Sequence, residues 1–305
     1  MSDYTDYDRL PAVLLDELRA GGIDPVRLHA QICDALDEDL SDGGDVTSTA
    51  TIRADQMSTG AFAAREEGVV AGLGVAALVF HVVGADAVTI TDRVPDGTRV
   101  VPGQRVLALA GPSRAILTAE RVALNYASHL SGIATATARW VEALSGTRAK
   151  VLDTRKTLPG LRQLQKYAVT CGGGVNHRFS LGDMAMVKDN HVVAAGGAVA
   201  ALEAVRTAYP GLAVEVEVTT LDELRSVLAA GCQRVLLDNM DTPTMSEAVR
   251  INSEEYARVA VLEASGGLTL ARAREVAQTG VDFISVGALT HSVTVFDLGL
   301  DLDEE

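Results

Sequence analysis

Residues 153–178, DTRKTLPGLRQLQKYAVTCGGGVNHR, set Arg155, Lys156, Arg162, Lys166 and Arg178, together with His177, against a single acid, Asp153. The whole chain is the opposite: 41 acidic residues against 26 basic ones give a formal charge of −15. A guanidinium presents a planar fork to carboxylate or phosphate, and an ammonium a compact charge. Gathering such groups is repulsive unless an anion sits among them, so the cluster predicts a site for a polyanion. Arg162 or Lys166 alone also fits a solvated helix face. The CGGG run at 171–174 permits a tight turn that would aim Asn176, His177 and Arg178 back into the same pocket.

Further along, short apolar runs close on polar or small residues. KVLDT, MAMVKDN, VEVEV, RVLLDN, VAVLEAS and FISVG begin near residues 150, 184, 214, 234, 259 and 283. They end on Asp153, Lys188 with Asp189, Glu217, Asp238, Glu263 with Ser265, and Ser285 with Gly287. One polar strand end is ordinary capping, whereas a succession of them predicts a site assembled from several strands. Lys188 follows a fully apolar run and should emerge at a rim; alone it would snorkel, but beside a cation cluster it would hold an anion. His191 reads as a cap for the following helix. SGG at 265–267 and SVGALTHS at 285–292 offer backbone N–H groups to a phosphate, although glycines also serve plain turns.

Such ends share one face only if the runs are parallel strands. Helical stretches lie between most of them, with starts at Thr220 and Glu223 (a capping box), Thr242 before Pro243, and Thr269 before LARAREVAQ. Repeated strand–helix units predict a barrel whose strand ends converge; an open doubly wound sheet is the alternative. Up to about residue 120, helical patterns (LPAVLLDELRAGG, DPVRLHAQICDALDEDL) mix with alternating runs (AVTITDRVPDG, TRVVPGQRVLALAG), predicting an α+β domain with an antiparallel sheet. Residues 117–144 read as a long helix that Gly132 should break or bend. The expected division is 1–128 for the first domain, 129–292 for the barrel, and 293–305 returning to the first.

A length of 305 residues suits a barrel plus a smaller domain. An apolar content of 48% with only 4% aromatics describes a globular core built from Ala, Val and Leu. The acidity opposes nucleic-acid binding and attachment to anionic membranes. Cys33, Cys171 and Cys232 are scattered without metal-ligand spacing, which fits a reduced, cytoplasmic setting. The N-terminus carries acids where a signal peptide would be basic. The uncharged run 68–85 contains four glycines and His81, so it is read as buried core and the protein as soluble.

Taken together, GDVTS at 44–48, REEGVVAGL at 65–73, AERVALNYASHLSGIATAT, DTRKTLPGLRQLQKYAV, GGGVNHR, KDNH, VEVEV, LLDN, EASGG and SVGALTHS resemble the quinolinate phosphoribosyltransferases, over nearly the whole chain. The resemblance implies an N-terminal α/β sandwich joined to an incomplete TIM-like α/β barrel, in dimers or larger assemblies. It implies transfer of phosphoribosyl from phosphoribosyl pyrophosphate to quinolinate with Mg²⁺, giving nicotinate mononucleotide, pyrophosphate and carbon dioxide. It assigns Arg155, His177, Arg178 and Lys188 to the quinolinate carboxylates, Lys156 to the neighbourhood of the phosphates, Thr154 to substrate binding, and Arg121 to the site of the neighbouring subunit. Glu217 and Asp238 would face the ribose hydroxyls and hydrated Mg²⁺, with Glu263 a further acid of that kind. Ser265, Gly266, Gly267, Ser285, Gly287 and His291 complete the implied substrate contacts. A related transferase with another acceptor, a Schiff-base lyase using Lys156 or Lys188, and a non-catalytic phosphate-binding barrel are the competing readings.

Overall fold

The structure is a computed structural model and describes residues 4–41 and 43–303. The described residues form two compact units: one holds those up to Ala136, Gln163–Gly173 and those from Val293 onward, the other Thr137–Arg162 and Gly174–Ser292. The expected domain boundaries did not separate residues 163–173 from the barrel.

In the first unit, α1 (Ala12–Ala20), α2 (Pro25–Leu40) and α3 (Val46–Thr51) precede β1 (Met57–Ala64) and β2 (Gly68–Val69). Asp24 caps α2, its side chain accepting from the N–H groups of Val26 and Arg27, with Pro25 in the first turn. The uncharged run becomes β2 and α4 (Leu73–Gly84), nearly all of it buried. Asp96 receives the N–H groups of Gly72 and Leu73 at 2.9 and 3.0 Å and so caps α4. The strands β3 (Thr89–Arg93), β4 (Arg99–Val100) and β5 (Arg105–Pro112) follow. β1 lies between β5 and the C-terminal strand Leu298–Leu302, with β3 beyond β5, all antiparallel.

The long helix α5 runs unbroken over Ser113–Ala143, so of the break or bend expected at Gly132 the break does not occur. A Cβ at that position would collide with the Thr294 carbonyl. Glycine there admits the returning C-terminal segment instead of interrupting the helix. Lys166, on α6 (Arg162–Cys171), is also not a solvated cation: it is wholly buried.

The second unit holds β6 (Lys150–Leu152), β7 (Ala185–Val187), β8 (Val214–Val218), β9 (Arg234–Asp238), β10 (Val261–Ser265) and β11 (Phe283–Ser285). All pair in parallel in the order β6-β11-β10-β9-β8-β7. Pairing of the first strand with the last is the order of a barrel, here without a β6–β7 pairing. A doubly wound sheet would instead reverse direction from a central strand. Between the strands lie α7 (Asp189–Ala195), α8 (Ala198–Ala208), α9 (Leu221–Ala229), α10 (Thr242–Glu254), α11 (Ala273–Gln278) and, after β11, α12 (Ala288–His291). Thr220 and Glu223 form the predicted capping box on α9. On α10 the cap is Asp241 and not Thr242, because Asp241 Oδ1 takes the Thr244 N–H at 2.9 Å. Thr269 makes no side-chain capping bond.

Candidate active site

At the C-terminal ends of these strands lies a cavity of about 270 Å³. The chain after β6 contributes Asp153, Thr154, Arg155 and Lys156, and the segment before β7 contributes His177 and Arg178. Lys188 follows β7, while Glu263, Ser265 and Ser285 come from β10 and β11. Met186 and Leu236 supply the apolar part of the wall. Thr154, Arg155, Lys156, His177, Arg178, Lys188, Ser265 and Ser285 are thus brought together from five separated stretches of sequence.

The cations crowd one another. Burial first, and the charge of Arg155 second, hold the Arg178 guanidinium below its ordinary pKa. Arg155 Nε is buried and makes no hydrogen bond. One Arg178 amino group donates to the Met184 carbonyl at 3.0 Å, which fixes the fork. Such a guanidinium pair is stabilised by an anion that accepts several N–H bonds at once. Arg162 is tied elsewhere, to Thr157 Oγ1 and the Phe179 carbonyl, each at 3.0 Å.

His177 is clamped from several sides. Its backbone N–H donates to Asp153 Oδ1 at 2.8 Å, and its Nδ1 accepts the Arg178 N–H at 2.9 Å. The ring proton therefore sits on Nε2 and is donated to Glu215 Oε2 at 2.8 Å. Glu215 and Glu217 occupy the same face of β8, two residues apart. Glu215 is 1% exposed, deep in the unit, whereas Glu217 stands nearer the rim and accepts from Lys188 Nζ at 2.6 Å. Sequence reasoning singled out Glu217 and passed over Glu215, although strand alternation puts both inside.

Glu263 is 1% exposed, which sets it apart from the rim acids with which it was grouped. Its Oε1 accepts the Ser285 hydroxyl, and its Oε2 is buried without a hydrogen bond, 3.5 Å from His177 Nε2. Burial, then the neighbouring Glu215 carboxylate, push its pKa well above the carboxylate range. His177, Glu215 and Glu263 each place a donor atom within 4.8 Å of the others. A direct His–Glu hydrogen bond and a Glu263 carboxyl whose pKa is raised by burial and by Glu215 describe a proton-holding cluster better than a metal centre.

The rim completes the picture. Asp238 ends β9, level with Ser265 of β10, and its Oδ2 accepts from Asn239 Nδ2 at 2.7 Å. Gly266 has φ +98°, and a Cβ there would collide with the Asn239 side chain. Asn239, itself at φ 54°, is a feature that sequence analysis quoted in LLDN but gave no role. A Cβ on Gly287 would meet Lys156 Cδ at 3.0 Å and His291 Nε2 at 3.2 Å, so these three cluster. His191 Nδ1 accepts the Lys188 N–H at 3.0 Å and caps α7 as expected. Glu217, Asp238, Gly266, Gly267, Gly287 and His291 are not among the residues that wall the cavity. Arg121 is exposed on α5, in the first unit.

Comparison with known proteins places this geometry in context. Residues 133–301 match the quinolinate phosphoribosyl transferase C-terminal domain, and residues 45–131 the N-terminal domain of the same name. The nicotinate-nucleotide pyrophosphorylase [carboxylating] of Mycobacterium leprae is 52% identical, over 88% of this chain and 94% of that protein. Quinolinate phosphoribosyltransferase [decarboxylating] 1b of Nicotiana tabacum is 41% identical, over 89% of this chain and 81% of its own. The solved nicotinate-nucleotide pyrophosphorylase of Francisella tularensis superposes with a TM-score of 0.85 at 39% identity, covering 91% of this chain and 96% of that one. Among the described residues no helix is long and apolar enough to cross a membrane.

Proposed function

The chain belongs to the quinolinate phosphoribosyltransferase family, whose activity produces nicotinate mononucleotide in NAD biosynthesis, and from that premise we propose that the cavity at the strand ends is where its two anionic substrates meet. The observation that carries this reading is the Arg155–Arg178 pair, crowded and partly desolvated at the cavity wall, with the Arg155 Nε buried and making no hydrogen bond. Quinolinate brings two carboxylates and phosphoribosyl pyrophosphate several phosphates. Their mutual repulsion has to be offset by protein cations.

In this reading Arg155, Arg178 and Lys188 bind the quinolinate carboxylates. His177, neutral and clamped to Glu215, sets the position of Arg178 through its Nδ1 and presents its ring to the acceptor. Lys156, next to Gly287 and His291, faces the phosphates, with Thr154 beside it. The N–H groups around Ser265, Gly266, Gly267 and Gly287, with Ser285 behind them, receive the 5′-phosphate. Gly266 supports this assignment, since its conformation and contact with Asn239 both exclude a side chain.

Glu217 and Asp238 fit a hydrated Mg²⁺: they are hard oxygen donors at the ends of adjacent strands. That ion keeps several waters and takes one or two carboxylates along with substrate phosphates. Bound there, Mg²⁺ would neutralise charge developing on departing pyrophosphate. The protein's own residues orient the pyridine nitrogen toward C1 of the ribose as the C1–O bond breaks. Positive charge on the ring nitrogen then stabilises the carbanion left when the 2-carboxylate departs as carbon dioxide. A nucleophilic side chain has no part in this sequence.

The assembly is proposed as a homodimer in which Arg121 of the partner subunit reaches the acceptor site; exposure of Arg121 on α5 leaves it available for that contact. The free thiols of Cys33, Cys171 and Cys232 suit a cytoplasmic setting. The direct assay measures carbon dioxide and pyrophosphate, expected in equal amounts only when quinolinate, phosphoribosyl pyrophosphate and Mg²⁺ are all present. Product formation without any one of them would refute the reading. For the shared site, Arg121→Ala and Lys188→Ala chains are each expected to be inactive, with partial activity restored on mixing. No recovery despite demonstrated subunit exchange would count against it.

A further inference from the structure

Loss of carbon dioxide leaves an electron pair on C2 of the pyridine ring, and the product carries a C–H bond there. One proton must therefore reach C2 in each turnover. We propose that Glu263 is the acid that supplies it, acting from the floor of the cavity as a catalytic residue of the decarboxylation half-reaction.

Geometry carries the argument. Glu263 lines the cavity, yet its side chain is only 2% exposed, so the acid faces the ligand space without access to bulk water. Its Oε1 is occupied by the Ser285 hydroxyl, whereas Oε2 is buried and makes no hydrogen bond. One oxygen is thus anchored by Ser285, and the other lies beside Glu215 and His177 with no hydrogen bond of ordinary length. A buried polar atom without a partner is costly and rare in native proteins.

The surroundings decide its protonation. Glu215 on β8 faces it, His177 lies 3.5 Å from Oε2, Ser285 on β11 bonds Oε1, and Arg234 on β9 stands 3.7 Å from the far oxygen of Glu215. Burial and the Glu215 charge favour the neutral acid, and Arg234, whose nearest carboxylate is Glu215, offsets this only in part. A carboxyl group with a raised pKa is suited to giving up a proton near neutral pH.

Several other groups at the wall serve poorly. Arg155 and Arg178 do not release protons in this range. His177 is neutral and already donates its one ring proton to Glu215. Lys188 is held by Glu217. In the proposed step, the C2 electron pair takes the Glu263 proton to form C2–H. The O–H electrons stay on Glu263, which becomes a carboxylate and regains its proton from solvent before the next turnover.

Glu263→Gln keeps the size and the acceptor for Ser285 but cannot give a proton. In a single turnover, pyrophosphate release is expected to stay within about threefold, while nicotinate mononucleotide formation falls by about 10²-fold or more. Glu263→Asp should recover part of the loss. A merely structural role would slow both steps together, and that result, or full retention of both, overturns the assignment. Should the variant not fold, the wild-type protein decides: its decarboxylation step should decline as pH rises from 6 to 10 while pyrophosphate release does not decline in parallel, and a flat profile contradicts the proposal. The inference rests on the cavity being the reaction site, and the two fail differently. If Glu263→Gln is fully active but Arg178→Ala is not, only the donor is wrong; if both are fully active, the site is wrong.

Discussion

Lys188 Nζ stands 2.6 Å from Glu217 Oε2, joining the ammonium after β7 to a carboxylate of the neighbouring strand β8. In the proposed site the first group binds the acceptor and the second the donor and its metal, so the pair would link the two substrates. Lys188→Met and Glu217→Gln should each lower kcat/KM, but the double variant should lose less than the sum, by about 1–2 kcal/mol. Additivity within about 0.3 kcal/mol in the same cycle would show that the pair transmits nothing.

Arg178 tests the shape of the cation set and not only its charge. Arg178→Lys retains a positive charge but forfeits the fork and the bond to the Met184 carbonyl. KM for quinolinate should rise at least tenfold, about 1.4 kcal/mol, with a smaller change in KM for phosphoribosyl pyrophosphate. Equal shifts for both substrates would place the guanidinium elsewhere.

Two glycines separate function from stability. Gly266→Ala puts a Cβ at φ +98° against Asn239 in the proposed phosphate turn, so activity should fall severely through loss of donor-substrate binding. Gly132→Ala meets the Thr294 carbonyl, within the first unit. It should lower Tm while leaving the KM for both substrates of the surviving folded protein near wild type. Steady-state kinetics beside thermal unfolding reads both outcomes.

The Glu223 cap gives a pH-dependent stability. Hydrogen bonds from the Thr219 backbone, opposed by partial burial and reinforced by the Thr219 hydroxyl and Thr220, hold its carboxyl below its ordinary value of 4.5. A depressed folded-state pKa contributes stability present above 4.5 and lost as pH falls through the folded value. Glu223→Gln should therefore cost about 0.5–1 kcal/mol at pH 7. The difference from wild type should shrink progressively below pH 4.5 in denaturant titrations.

Asp238→Asn removes the charge of the proposed metal donor while keeping the size of the side chain. The Mg²⁺ concentration for half-maximal activity should rise at least tenfold, with recovery at high Mg²⁺, and a chelator should silence the wild-type enzyme reversibly. An unchanged Mg²⁺ requirement would take Asp238 out of the metal's surroundings.

Much of the site was legible because barrel strands advertise their ends. Apolar runs closing on Lys188, Glu217 and Asp238 correspond to β7, β8 and β9, and the cluster 153–178 supplies half of the cavity wall. What escaped depends on three-dimensional proximity. Glu215 was readable from the two-residue period of VEVEV, but its bond to His177 joins residues 38 apart. Glu263 looked like another rim carboxylate because its depth depends on strand stagger, which local sequence does not report. Lys166 and Gly132 were misread for one reason: each is shaped by a packing partner distant in sequence, and helical periodicity sees only neighbours.

The central claim is that the cavity is built for an acceptor with two carboxylates. It is tested most directly by measuring kcat/KM for quinolinate and for nicotinate, which lacks the 2-carboxylate, under identical donor and Mg²⁺ conditions. The account predicts a preference for quinolinate of about 10³-fold or more, since the site's buried donors are left unpaired by the smaller acid. Equal values would contradict it.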